Sequence, residues 1–158
     1  MREILFRAKT KMIVGTYNCG KEDGEWVTGC LYHDVGKWII RQFELDGADY
    51  VSYEVDPETI GQCTGLDDRE GRKIFEGDIL EWTRKDIVLT SSAYFGGYHF
   101  GDKVKVKNLE SGFTLTAMKN NDDIPNIGGN INNYDFWNMH RFLRIVGNIF
   151  DNPEMINE

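Results

Sequence analysis

Residues 61–80 read Gly61-Gln62-Cys63-Thr64-Gly65-Leu66-Asp67-Asp68-Arg69-Glu70-Gly71-Arg72-Lys73-Ile74-Phe75-Glu76-Gly77-Asp78-Ile79-Leu80. Two short runs, Gln62 to Leu66 and Arg72 to Phe75, flank the polar loop Asp67-Asp68-Arg69-Glu70-Gly71. A loop of this kind closes a hairpin when its last glycine takes positive φ. Glu76-Gly77-Asp78 then turns the chain into a further strand beginning at Ile79. Glycine permits the bend, and the aspartate accepts hydrogen bonds from the turning backbone. A Gly-Asp pair before a strand recurs at the strand entries of small SH3-like barrels. The stretch therefore predicts a mainly β fold in which Gly65, Gly71, Gly77 and Asp78 are structural turn residues. Asp78→Ala is expected to cost about 1 kcal/mol or more if the carboxylate caps buried N–H groups.

Working outward, Trp26 to Tyr32, Lys37 to Phe43 and Tyr50 to Val55 are rich in β-branched and aromatic residues and bounded by Gly or Asp. His33-Asp34-Val35-Gly36 reads as the hairpin loop between the first two. In Asp56-Pro57-Glu58-Thr59-Ile60-Gly61, Asp56 is placed to cap one helical turn, Pro57 to open it and Gly61 to close it in the left-handed region. Downstream, Ile87 to Thr90, Val104 to Lys107 and Phe113 to Ala117 read as strands, and Tyr134 to Phe142 as a short helix. Phe142 to Phe150 is a last strand with a bulge at Gly147. This gives about ten short strands and at most two short helices. The expected architecture is one domain, 1–158, with an N-terminal sheet region (1–60) continuing into a small SH3-like barrel (61–150) and a tail (151–158) that frays after Pro153.

Composition narrows the function. In 158 residues, a hydrophobic fraction of 41% and an aromatic fraction of 13% supply a core, and 17 glycines supply turns. A net charge of -8 disfavours indiscriminate coating of a phosphate backbone. The three cysteines, Cys19, Cys30 and Cys63, lack metal-site spacing and read as free thiols in a reducing compartment. The N-terminus lacks the apolar core of a secretory signal, so a soluble, intracellular protein is expected.

No sequence motif for phosphate binding, dinucleotide binding, zinc or a nucleophile elbow is present, and no cofactor is expected. His33, His99 and His140 stand far apart in the sequence and read as packing or turn residues. The acidic group Asp67, Asp68, Glu70, Glu76 and Asp78 fails calcium-loop spacing and reads as a charged hairpin tip with a turn-stabilising Asp78. Two surfaces remain. Tyr94, Phe95, Tyr98 and Phe100 alternate with glycines in a loop suited to anchoring a partner. Lys103, Lys105 and Lys107 share one face of a strand, either to contact phosphates or to protect an exposed strand from edge pairing.

The 61–80 stretch, with its Gln-x-Thr-Gly-Leu-x-Asp-x-x-Gly core from Gln62 to Gly71 and the run Ile74-Phe75-Glu76-Gly77-Asp78-Ile79, resembles the YopX-like family of phage and prophage proteins. The opening residues Met1 to Ala8 and the closing Ile145 to Glu154 share the resemblance. Cys63 stands where the family has an aromatic or apolar residue, which argues against a redox role for it. The resemblance implies a phage or prophage origin, a β-rich fold and self-association, and carries over no catalytic residue. The leading expectation is a non-enzymatic accessory protein that binds a host or phage protein. The alternatives are a nucleic-acid-binding module using Lys103, Lys105 and Lys107, and a homo-oligomeric structural protein.

Overall fold

The computed structural model of the chain describes residues 4–11, 21–43, 50–83, 101–109, 112–118 and 139–156. Ten β-strands and three short 3-10 turns occur among them, and all the registered strand pairs are antiparallel. The chain divides into two compact units, Met1–Gly65 and Leu66–Glu158.

The first unit holds β1 (Phe6–Lys9), β2 (Trp26–Asp34), β3 (Lys37–Phe43), β4 (Tyr50–Glu54) and most of β5 (Gly61–Asp67). Their order in the sheet is β4-β3-β2-β1-β5. Period-2 alternation sets one face inward: Ala8, Val27, Ile40, Tyr53 and Val55 form the buried core, with Phe6, Leu31, Val51 and Ile60 against it. Burying one such aliphatic side chain contributes about 1.5–3 kcal/mol. Gly29 lies on β2 where a Cβ would overlap the carbonyl oxygen of Arg41 on β3, so the close approach of the strands requires glycine.

The β2–β3 connection is tighter than the four-residue loop expected. Strand pairing continues through His33↔Trp38 and Asp34↔Lys37, leaving a two-residue Val35-Gly36 turn. Both turn residues have positive φ, 45° at Val35 and 77° at Gly36, as a type I′ turn demands. Asp56 caps a 3-10 turn over Pro57–Thr59, accepting a hydrogen bond from the Glu58 N–H at 3.1 Å. The expected left-handed closure at Gly61 does not occur. Ile60 stays extended and Gly61 enters β5 directly, pairing with Arg7.

The second unit holds the end of β5, then β6 (Lys73–Phe75), β7 (Asp78–Trp82), β8 (Lys103–Leu109), β9 (Gly112–Ala117) and β10 (Leu143–Asn148). The last four strands form a sheet of order β10-β7-β8-β9. Its inward face carries Leu80, Trp82, Val104, Val106, Leu115 and Leu143, all buried. β10 and β9 end this sheet, so among the described residues it is open rather than the closed SH3-like barrel expected. The physical reason lies at Gly77 (φ 82°): the turn from Phe75 to Asp78 takes the chain out of the strand pairing of β6 and starts a new sheet with β7.

Between Ile145 and Gly147 the β10–β7 register shifts, a bulge at the glycine-bearing position. The segment after Pro153, expected to fray, forms a 3-10 turn over Pro153–Ile156. The expected strand at 87–90, and most of the expected helix at 134–142, lie outside the described residues. The helix's last residues hold a 3-10 turn, His140–Phe142. Among the described residues no helix is long and apolar enough to cross a membrane.

Candidate functional site

The same alternation that buries one face of the first sheet sends the other residues outward. On β2 these are Trp26, Thr28, Cys30 and Tyr32, and on β3 Lys37, Ile39, Arg41 and Phe43. β1 contributes Arg7 and Lys9, and β4 contributes Tyr50, Ser52 and Glu54. Register then decides which of them meet: Cys30 pairs with Arg41 and Arg41 with Ser52, while Phe43 pairs with Tyr50.

Arg41 is the centre of this face. Its guanidinium carbon lies 4.1 Å from the ring centroid of Tyr50 and 4.7 Å from that of Tyr32. Its Nη2 donates to the Tyr32 hydroxyl at 3.0 Å, and its Nε to Ser52 Oγ at 3.4 Å. None of its contacts among the described residues is to a carboxylate. Phe43 packs edge-on to Tyr50 with ring centroids 6.3 Å apart. Both rings are open to solvent, at 58% and 54% exposure. A second ring–cation group sits on β1 and β2, where Arg7 and Lys9 lie over Trp26 at 4.9 and 5.5 Å. Lys37 is tied to Glu54 by an ion pair of 2.7 Å. Rings and cations are thus interleaved over four adjacent strands, an arrangement suited to stacking planar groups while offering positive charge.

The acidic group is not a solvated tip throughout. The Asp68 side chain is fully buried and accepts five hydrogen bonds. Oδ1 takes the N–H groups of Glu70 and Arg72 at 2.8 and 3.0 Å, and Oδ2 takes Arg72 Nε, Arg72 Nη2 and the Ile145 N–H at 3.0, 2.7 and 3.0 Å. Burial works to raise the Asp68 pKa, but the donors from Ile145, Arg72 and Glu70 outweigh it and hold the carboxyl below its ordinary value. Arg72 Nη2 also donates to the Ile145 carbonyl at 2.8 Å, and the Arg69 N–H donates to the Leu143 carbonyl at 2.9 Å. The hairpin tip thereby covers the outer edge of β10. His140 joins it, Nδ1 lying 2.6 Å from the Asp67 carbonyl oxygen. Asp78, fully buried, accepts the Phe75 N–H at 2.8 Å and so holds the turn into β7. Gly71 has φ 79° and Gly65 φ 75°.

Lys103, Lys105 and Lys107 do share one face of β8, opposite Val104 and Val106. Their cross-strand neighbours limit that face as a basic stripe. Lys103 lies opposite Glu81, which is also bound by Arg144, and Lys105 lies opposite the buried Ile79. Tyr94, Phe95, Tyr98 and Phe100, with His99, lie outside the described residues. The residues that sequence reading missed are Arg7, Trp26, Tyr32, Arg41, Phe43 and Tyr50. The signal for them was the alternation of rings and cations along β2 and β3.

The fold and this face define a two-sheet, mainly β protein with an exposed ring–cation surface. The YopX protein family matches residues 21–157, and the chain belongs to that family. Among solved structures it is similar to one described as the crystal structure of protein EF1440 from Enterococcus faecalis, at 17% identity and a TM-score of 0.46, with 99% of each chain covered. No curated protein matches it significantly.

Proposed function

We propose that this YopX family member is a non-enzymatic accessory protein of a phage or prophage, working in the bacterial cytoplasm by holding a macromolecule against the outer face of its first sheet. The observation that carries this reading is the Arg41 cluster, a guanidinium between two tyrosine rings with Phe43 and Tyr50 more than half exposed beside it. Tyr, Trp and Arg are the side chains that most often anchor an interface, and clustered exposed rings cost solubility unless they bind something. A face with solubility as its sole task is served by polar side chains at those outward positions.

The test is recovery of tagged protein from prophage-induced host lysate, comparing wild type with the variant Arg41→Glu/Tyr50→Ser, both shown to be folded by circular dichroism. A stoichiometric associate held by wild type and absent from the variant supports the reading. Equal recovery by both removes the face from consideration.

A further inference from the structure

We infer that the macromolecule is a single-stranded nucleic acid laid across β1–β4. This rests on the reading of that face as the binding surface and names what it takes.

Three features of the face select this ligand. First, rings and cations alternate on it. Bases stack on Tyr, Phe and Trp whatever their sequence, and the intervening Arg and Lys meet the phosphates between them. Second, its dimensions suit a strand rather than a duplex. From Trp26 to Tyr32 the outward positions of β2 span about 20 Å, and β1 to β4 span about 14 Å. A duplex offers such a shallow, open face its phosphates but keeps its bases stacked inside, out of reach of rings standing on a sheet. Third, charge is segregated. The chain carries a net charge of -8, yet the outward positions of β1–β4 hold Arg7, Lys9, Lys37 and Arg41 against Asp34 and Glu54.

Arg41 suits a phosphate: its guanidinium stands between the two tyrosines and, among the described residues, meets no carboxylate. The exposed Cys30 is its cross-strand neighbour on β2, and Ser52 its neighbour on β4. The acidic remainder of the surface repels indiscriminate coating, so binding is confined to this lane.

The experiment is fluorescence anisotropy with labelled oligo-dT and oligo-U of about 12 nucleotides, a length within the range that single-strand-binding modules cover. Both probes are expected to bind if only stacking and phosphates are read, and preference for oligo-U would mark RNA as the source. Arg41→Glu and Phe43→Ala/Tyr50→Ala should each weaken binding by about tenfold or more, while Tyr50→Phe, which keeps the ring, retains most of it. Arg41→Ala should also reduce the slope of log affinity against log salt by about 0.7, one single-strand phosphate contact. The triple variant Lys103→Glu/Lys105→Glu/Lys107→Glu should bind as wild type does. Loss of binding in that triple variant with none in Arg41→Glu overturns the inference by placing the site on β8. Absence of binding to either probe, with a nuclease-resistant host protein still lost from the Arg41→Glu/Tyr50→Ser variant, overturns the nucleic acid and leaves the binding face standing. No face-dependent partner of any kind removes both.

Discussion

Asp68 and Arg72 together satisfy both hydrogen-bonding groups of a single residue on β10: Asp68 Oδ2 accepts the Ile145 N–H at 3.0 Å while Arg72 Nη2 donates to the Ile145 carbonyl at 2.8 Å. The side-chain pair acts as a neighbouring peptide would, at the edge where, among the described residues, β10 has no strand beside it. Edge strands left open pair with other chains, so the hairpin tip also protects this one. Removing Asp68 strands the Ile145 N–H and two turn N–H groups. Asp68→Ala should therefore cost about 2–3 kcal/mol, and Arg72→Ala, whose side chain is half exposed, about 1 kcal/mol. Urea denaturation checks the order. A larger loss in Arg72→Ala would contradict the assignment of Asp68 as the principal group.

The same carboxylate makes stability acid-sensitive. Because the fold holds the Asp68 pKa below its ordinary 3.8, the unfolded chain binds more protons as pH falls past that value, and stability decreases. Asp68 thus contributes fully above pH 3.8, and its contribution is lost as pH drops from there through its lowered folded value. Thermal midpoints of wild type and Asp68→Asn, measured from pH 7 downward, should differ most at neutral pH and converge in acid. A difference that widens in acid has the wrong sign for this account.

Asp78→Ala should destabilise the second unit by about 1–3 kcal/mol, since a buried Phe75 N–H loses its acceptor. The thermal midpoint reads this directly, and an unchanged midpoint removes the role.

Val35 is a β-branched residue at φ 45° and 90% exposed. Few side chains tolerate that conformation, and Asn before Gly is the favoured first residue of a type I′ turn. Val35→Asn should raise stability by about 0.5–1 kcal/mol, read from the shift in denaturant midpoint. A loss would mean that the valine side chain packs in a way its exposure does not suggest.

How much of this was legible varies with the range of the interaction. β2, β3 and β9 could be read because ring-rich or alternating runs between turn residues are local signals. The turn roles at Gly71, Gly77 and Asp78 are equally local. Asp68 was grouped with a solvated tip because its decisive partner, Ile145, lies 77 positions further along the chain. The barrel expectation extended the β5–β6 hairpin into β7, but strand order depends on which edges pair, and a Gly-Asp turn does not encode that. The ring–cation face was missed for a related reason. Trp26, Tyr32, Arg41 and Phe43 alternate visibly, yet their meeting requires the register set by the Val35-Gly36 turn. A loop of His33 to Gly36 would have paired Tyr32 with Lys37 instead of Ile39.

The most direct test of the binding face is a residue-resolved one: backbone amide chemical shifts of the labelled protein during titration with oligo-dT. Shifts concentrated on Arg7, Trp26, Tyr32, Arg41 and Tyr50, saturating together, are the predicted result. Shifts confined to Lys103–Lys107, or none at saturating oligonucleotide, would contradict the assignment of β1–β4 as the surface that takes a single strand.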